Sequence, residues 1–240
     1  MPYHLDYRED VTPPLKSTES GLLPGFGLAL GHQGAKSPLY AKLALDLTVA
    51  NTNYDGSDQV GNPILSTTRN VFIRGEGNLG LRLFSSASPP RDLTAYTGLG
   101  YRFWERGLGD TTGYREHYSW KYFPVGLRLG YRINPQWSGA VDASARIMFG
   151  GTILVYLSDL NSGYNDPRMT LGSRPGWKVE APLHYRFWTF TPWYEYSAIS
   201  QSNVIEVTYN GQPLNPRMGV YEPSSTTNQI GLAVGARVLF

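Results

Sequence analysis

The chain has 240 residues, with 27 glycines and an aromatic content of 6 Trp, 17 Tyr and 9 Phe, and this length suits a single domain over residues 1–240. The absence of cysteine excludes a disulfide scaffold, a thiol nucleophile and a lipoprotein anchor. A formal net charge of +2 argues against a nucleic-acid partner. No apolar run approaches the roughly 20 residues of a transmembrane helix, so only strands with alternate lipid-facing residues could cross a membrane.

The first six residues, Met1 to Asp6, lack the basic start and the apolar stretch of a secretory signal. We therefore expect a mature or an engineered start. Residues 3–11 form only a weak strand, which either completes the sheet or lies beside it as a peripheral segment.

Apolar and polar residues alternate along nearly the whole chain, with charged, polar or glycine residues opposite the apolar ones. This pattern predicts an all-β protein, an antiparallel up-and-down transmembrane β-barrel with ten strands and both chain ends in the periplasm. Eight strands are the alternative, but they would require the loss of a second well-patterned segment. The predicted strands are 3–11, 22–32, 39–50, 67–84, 93–106, 117–133, 137–157, 176–188, 190–200 and 225–240.

Connections between these strands alternate between short and long, as in barrels with periplasmic turns and extracellular loops. Proline, asparagine and serine mark the short ones. The short connections are 33–38, 85–92, 134–136 and 188–191. The long connections are 12–19, 51–66, 107–116, 158–174 and 201–224.

The end of the chain, Gln229 to Phe240, alternates almost without interruption and stops on an aromatic residue. Phe240, Val238 and Ala236 resemble the C-terminal signal by which Gram-negative outer-membrane barrels are recognised for assembly. With the alternating pattern, the chain resembles the small outer-membrane barrels that include the OmpA and OmpW types. The resemblance implies an outer-membrane location, outer-membrane lipid and lipopolysaccharide as surroundings, and the barrel assembly machinery as a partner during biogenesis.

Residues of the opposite parity predict a charged lumen with an excess of basic residues. A small barrel of this kind is either filled by paired charges or crossed by a narrow anion pathway. Arg8 and Asp6 belong to the same predicted inward set. The predicted network consists of Lys42, Asp46, Arg74, Glu76, Arg82, Arg102, Arg128, Arg132, Asp142, Arg146, Lys178, Glu180, His184, Arg186, Glu195 and Arg237.

His117 and Ser119 share one strand face near an extracellular end, where an imidazole base can activate a hydroxyl. The His-x-Ser spacing resembles the PagL family of lipid A deacylases. The acidic partner expected about a dozen positions later is missing, because Tyr131 and Ile133 occupy those positions. The alternative is an interfacial histidine without catalytic function.

Asn51, Asn53, Asp55 and Asp58 carry oxygen atoms at spacings that loosely resemble a calcium loop. Asn62 stands where such a loop has its bidentate glutamate. Asn, Asp and Gly also form ordinary turns, which explains the segment without a metal. The sequence predicts no cofactor.

The leading prediction is a non-enzymatic outer-membrane barrel with a largely filled lumen and a structural or surface-interaction role, including an envelope or extracellular partner at the loops. The first alternative is an anion-selective channel or an uptake barrel for small molecules. The second is a lipid A hydrolase that uses His117 and Ser119. A soluble lipocalin-like barrel would require the apolar parity to face inward.

Overall fold

The computed structural model describes residues 1–33, 37–58, 60–87, 90–108 and 113–236. This part of the chain contains strands and one 3-10 helix, Leu157–Asp159. The strands are β1 (Tyr3–Glu9), β2 (Ser17–Leu23), β3 (Gly25–Gln33), β4 (Leu39–Ser57), β5 (Pro63–Ala87), β6 (Pro90–Leu108), β7 (Arg115–Arg132), β8 (Trp137–Val155), β9 (Arg168–Thr170), β10 (Gly172–Ser173), β11 (Pro175–Glu180), β12 (Leu183–Tyr185), β13 (Trp188–Ser200), β14 (Ile205–Glu206), β15 (Thr208–Tyr209), β16 (Gln212–Pro213), β17 (Gly219–Val220) and β18 (Ser225–Ala236).

Fourteen of these strands, β1 to β13 and β18, form one closed antiparallel ring with about ten positions. The ring closes because β18 pairs with β13 on one side and with β1 on the other. Strand β1 also pairs with β2, so the segment whose pattern was poor is a member of the barrel. The predicted all-β, ten-stranded fold is confirmed.

Proline divides two of the ten positions into shorter strands. Pro24 separates β2 from β3, and Ala181 with Pro182 separates β11 from β12. The prediction of a turn at 188–191 was wrong. The chain turns at Arg186 and Phe187, where Arg186 adopts a left-handed φ of 53°, and β13 already begins at Trp188.

Several strands are longer than predicted because pairing continues beyond the apolar band. The predicted loop 51–66 is mostly a regular hairpin, in which Asn51 pairs with Arg69 and Ser57 pairs with Pro63. Alternation alone did not reveal this extension, because both faces of these strand ends carry polar residues. Likewise, residues 201–224 hold two short strand pairs, β14–β17 and β15–β16.

The outer surface of the barrel carries a wide band of exposed apolar side chains. Leu43, Leu79, Leu127 and Val234, from four separate strands, are each at least half exposed. In a closed barrel the backbone hydrogen bonds are made between neighbouring strands, and the apolar side chains on the outside contact the hydrocarbon of the membrane. These two properties define a transmembrane β-barrel of the outer-membrane type. The apolar side chains point outward, whereas those of a soluble lipocalin-like barrel would point inward. Among the described residues, no helix is long and apolar enough to span a membrane.

Strand β1 reverses the predicted parity. Tyr3, Leu5 and Tyr7 are buried in the lumen, whereas Asp6 and Arg8 are exposed. The inward assignment of Asp6 and Arg8 was therefore wrong. The physical reason is that the lumen at this height is aromatic, so large apolar side chains pack there.

Candidate functional site: the barrel interior

The centre of the lumen is organised around one carboxylate, Glu195 on β13, whose side chain is 1% exposed. Arg74, Arg102 and Arg146 reach it from β5, β6 and β8, so the contacts cross the barrel. The Arg146 Nη1 to Glu195 Oε2 distance is 2.6 Å. Three buried guanidinium groups beside a single carboxylate are stable only if other carboxylates balance the remaining positive charge.

Two further carboxylates provide that compensation. Glu76 Oε2 lies 2.7 Å from Arg146 Nη2 and accepts a hydrogen bond of 2.8 Å from Tyr122 Oη. Asp46 Oδ2 lies 3.4 Å from Arg74 Nε. The three arginines therefore face three carboxylates in a locally neutral cluster. The cavity lined by Arg102, Arg146 and Glu195 has a volume of about 20 Å³, close to that of one water.

Nearer the periplasmic end, a second group of ion pairs continues the network. Glu180 lies 3.3 Å from Lys42 Nζ and 2.5 Å from Lys178 Nζ. On the adjacent strand β8, Asp142 is the register partner of Glu180, lies 3.6 Å from Arg128 and accepts a hydrogen bond from Tyr96. Charge pairs thus continue along the lower lumen.

Above the central cluster lies a layer of aromatic rings that the sequence analysis did not predict. Trp104 stacks against Phe72 and Tyr118 at centroid distances of 4.9 and 5.1 Å, and Tyr7 meets its edge at 5.2 Å. Arg102 lies over the Trp120 ring at 5.2 Å. Apolar packing therefore adjoins the charge pairs in this part of the lumen.

A second charge cluster, which we call the mouth cluster, lies above the aromatic layer. It consists of Arg106 with Glu9, Glu19, Glu116 and Glu222. Arg106 lies 3.0 Å from Glu19, 2.8 Å from Glu116 and 3.6 Å from Glu9. Four carboxylates around one guanidinium carry an excess of negative charge.

Sequence reasoning missed the mouth cluster because it treated residues 12–19, 107–116 and 201–224 as loops. Arg106 has the same parity as Arg102 and Arg74, so the signal was present in the strand pattern. Extending the alternation past the apolar band would have found Arg106 and Glu116. The position of Glu222 depends on the fold of a long loop, for which no such pattern exists.

Glu222 attaches the longest extracellular loop to the mouth cluster. Its Oε1 accepts hydrogen bonds from Tyr118 Oη at 2.8 Å and from Tyr7 Oη at 3.4 Å. Burial raises the pKa of Glu222 well above its ordinary value, and the nearby carboxylates of Glu9 and Glu116 raise it further. A protonated Glu222 relieves the excess negative charge of the cluster.

Two residues predicted for the lumen network lie outside it. Arg132 is exposed at the end of β7, and Arg186 lies exposed in the turn before β13, with its guanidinium over the Tyr185 ring. Their inward assignment was wrong because the strands end there. His184 hydrogen-bonds to Thr189 at 2.9 Å, Arg82 is half-buried near the periplasmic rim, and Arg237 lies outside the described residues.

His117 and Ser119 face the outside of the barrel at its extracellular end. The His117 Nε2 atom lies 3.0 Å from Glu105 Oε2, and its Nδ1 atom lies 3.0 Å from Tyr156 Oη. Ser119 Oγ lies 3.1 Å from Thr152 Oγ1 instead of contacting the imidazole. The acidic partner that is missing downstream of His117 is instead Glu105, which comes from the neighbouring strand β6.

The four residues with calcium-like spacing do not form one loop. Asn51, Asn53 and Asp55 lie in β4, and Asp55 pairs with Lys16. Asp58 begins the following turn, where its Oδ1 accepts hydrogen bonds from the Val60 and Asn62 amides at 2.9 and 2.8 Å. A hydrogen bond from the Asn62 side-chain amide to Asp58 Oδ2, together with these backbone bonds, lowers the pKa of Asp58. In the described ranges, no group of acidic and histidine side chains is arranged to hold a metal ion.

Of the predicted assembly signal, Ala236 ends β18 and is exposed. Val238 and Phe240 lie outside the described residues.

Comparison with known proteins finds solved barrel structures of similar fold but no protein family. No family model and no curated protein matches it. Among solved structures, it is similar to a TodX deltaS2S3 mutant monoaromatic hydrocarbon channel, with 9% identity and a TM-score of 0.39 over 100% of this chain and 74% of that one. It is also similar to the transport unit of the autotransporter AIDA-I from Escherichia coli, with 8% identity and a TM-score of 0.39 over 98% and 88%. The toluene transporter TbuX of Ralstonia pickettii gives 10% identity and a TM-score of 0.35 over 100% and 74%.

Proposed function

We propose that this protein is a non-enzymatic integral outer-membrane barrel whose lumen is closed by its own side chains, as in the small OmpA-type and OmpW-type barrels that its sequence resembles. Its role is structural or adhesive at the cell surface. The observation that carries the proposal is the convergence of Arg74, Arg102 and Arg146 on Glu195, which ties opposite walls of the barrel together.

This arrangement favours a closed barrel over an anion channel. An anion pathway needs cationic groups that are free to attract the ion. Here Arg102 and Arg146 share the Glu195 carboxylate, and the cavity beside them holds only about 20 Å³. Uptake of small hydrophobic molecules is disfavoured for a different reason, since an apolar solute would meet buried ion pairs along the lower lumen.

Single-channel recording in planar bilayers tests the closed lumen. We expect the refolded protein to be electrically silent while it resists unfolding by heat in detergent. The double variant Arg102→Ser/Glu195→Ser removes the central carboxylate and one of its three arginines and should produce discrete current steps, which would show that the barrel inserts under these conditions. Discrete anion-selective steps in the unmodified protein would instead support the channel.

The surroundings of the barrel support lipopolysaccharide as its lipid partner in the outer leaflet. Arg69 and Arg115 are exposed at the extracellular end, above the apolar band, where lipid A phosphates would lie. The barrel assembly machinery would act on the chain during biogenesis through its C-terminal strand. An envelope or extracellular partner would meet the loops between β8 and β9 and between β13 and β18.

A lipid A hydrolase is the second candidate, favoured by the contact between His117 and Glu105 on the outer surface. A carboxylate can orient the imidazole, and Ser119 lies two positions along the same strand face. For catalysis, Ser119 Oγ would have to give up its hydrogen bond with Thr152 and form one with His117. Mass spectrometry of lipid A from cells with the protein and with its Ser119→Ala variant tests this candidate. Loss of one acyl chain only with the intact protein would establish it, whereas identical lipid A would exclude it.

A further inference from the structure

The small cavity beside the central cluster is bordered by three arginines. Arg102 and Arg146 belong to the cluster itself, whereas Arg174 comes from the segment between β10 and β11. Arg174 has the same parity along the chain as Gly176 and Lys178, which explains why its side chain reaches the cavity. Sequence reasoning placed Arg174 in a loop, so it was not among the residues predicted for the lumen network.

Arg174 is the charge that the central cluster leaves unbalanced. The three arginines of the cluster face its three carboxylates, so their charges cancel. Within the part of the chain that the structure describes, Arg174 has neither an ion-pair partner nor a hydrogen-bond partner. Glu195 also borders the cavity, but the arginines around it already balance its charge. The surroundings of the cavity therefore carry a net positive charge.

The cavity exists because small residues face the arginines from the wall. Gly176 on β11 and Ser197 and Ala198 on β13 border it, and none of them has a side chain long enough to fill it. Its volume of about 20 Å³ is close to that of one water. A single water or a monatomic anion fits this space, whereas a sulfate or a phosphate is too large.

The guanidinium groups at the cavity are held in place by aromatic rings. Arg102 lies over the Trp120 ring at 5.2 Å, and Arg146 lies over the Tyr122 ring at 5.0 Å. These rings cover the flat faces of the guanidinium groups, so the N–H groups at the edges remain as donors. Arg146 is 6% exposed, and its Nε atom has no acceptor among the described residues. A buried donor without an acceptor is costly, which favours an acceptor inside the cavity.

We propose that this cavity binds one monatomic anion, chloride under ordinary conditions, between Arg102, Arg146 and Arg174. The net positive charge selects an anion over a water, and the volume selects a single atom over an oxyanion. The anion is bound and not conducted, because the ion pairs of Glu180 with Lys42 and Lys178 continue the network below it. This binding site goes beyond the proposed function and does not depend on it.

The line width of the chloride resonance in chlorine NMR measures binding to the refolded full-length protein in a non-ionic detergent. We expect broadening that saturates with protein sites and is reversed by bromide. Arg174→Gln should lose this broadening, and it should still fold because Arg174 is exposed and outside the ion-pair network. The matched control is Arg217→Gln, which removes an arginine 3.5 Å from Glu206 on an extracellular loop and should leave the broadening unchanged.

Each other result of this titration contradicts the proposal. Broadening no greater than that of detergent alone would mean that water occupies the cavity. Equal broadening in the Arg174→Gln variant, once heat-resistant migration has shown that it is folded, would place the anion elsewhere. Displacement by sulfate as readily as by bromide would indicate an open cationic surface, since sulfate is too large for the cavity.

Bromide in crystals of the protein locates the site directly, because its anomalous scattering marks its position. We expect a peak between Arg146 and Arg174 in the unmodified protein and none there in the Arg174→Gln variant. Peaks only at exposed arginines such as Arg217 would show an adventitious ion only and would overturn the proposal.

Discussion

Glu195 is the residue on which the packing of the central lumen depends. Its carboxylate is almost fully buried and binds three arginines, so it balances part of the positive charge of each one. Breaking a buried ion pair by removing one partner is far more damaging than breaking an exposed pair, because the remaining charge stays buried.

We expect Glu195→Gln to destabilise the barrel by about 3–5 kcal/mol, since three guanidinium groups lose their shared charge. The matched control is Glu206→Gln, which removes an exposed carboxylate 3.5 Å from Arg217 and should change stability by less than about 1 kcal/mol. The measurement is the midpoint of heat unfolding in detergent, read from electrophoretic mobility. Equal midpoints for both variants would show that the central cluster is not a stabilising unit.

Glu222 makes the attachment of its loop depend on pH. Its pKa in the barrel is raised above the ordinary value of 4.5, so it keeps its proton at pH values where a detached loop would have lost it. Attachment is therefore strongest below pH 4.5 and weakens as the pH rises from 4.5 toward the raised value. Glu222→Gln should remove this dependence and keep the loop attached.

A spin label at Met218→Cys measures the mobility of the loop across this pH range. We expect mobility to increase with pH in the otherwise unmodified protein and to stay low when Glu222→Gln is present. Glu206→Gln, on the same loop but exposed, should behave like the unmodified protein. A mobility that rises equally in all three proteins would refute the assignment.

At the scale of elements, β1 acts as a lumen-filling strand whose apolar residues point inward. Leu5 is fully buried, whereas Leu28 on β3 faces lipid and is 61% exposed. Strand β1 is therefore an exception to the rule that apolar side chains of a membrane barrel face the lipid. The aromatic layer explains the exception, because Tyr7 packs against Trp104 in the lumen.

Leu5→Ala should consequently destabilise the barrel by about 2–5 kcal/mol, the range for buried leucine truncations. Leu28→Ala serves as the control, and its effect should be clearly smaller because detergent replaces the lost contacts. Heat unfolding of the two variants under the same conditions gives the comparison. If Leu28→Ala were the more damaging variant, β1 would not be packed in the lumen as described.

At the scale of the whole molecule, the two ends of the barrel differ. One end carries extended hairpins and the long segment between β13 and β18, and the other carries tight turns such as the one between β7 and β8. Outer-membrane barrels place their short turns in the periplasm. The mouth cluster therefore faces the outside of the cell.

An epitope inserted after Asn215 should be labelled by antibody on intact cells, because this residue is exposed in the long segment. An epitope inserted after Pro135, in the turn between β7 and β8, should be labelled only after permeabilisation. The reverse pattern would invert the orientation and would place the mouth cluster in the periplasm.

The sequence by itself determined the fold class, the number of ring positions and the lipid-facing residues. Side chains alternate strictly along a strand, so Leu43, Leu79 and Leu127 already defined the outer face. The same alternation identified Arg74, Arg102, Arg146 and Glu195 as members of one inward set.

Only the tertiary structure decided which of these residues meet. Partners such as Arg102 and Glu195 are separated by 93 positions along the chain and come together across the lumen, a distance that no strand pattern encodes. The Glu105–His117 contact depends on the register between β6 and β7. Register and closure arise from pairing between distant strands, whereas alternation is a property of each strand alone.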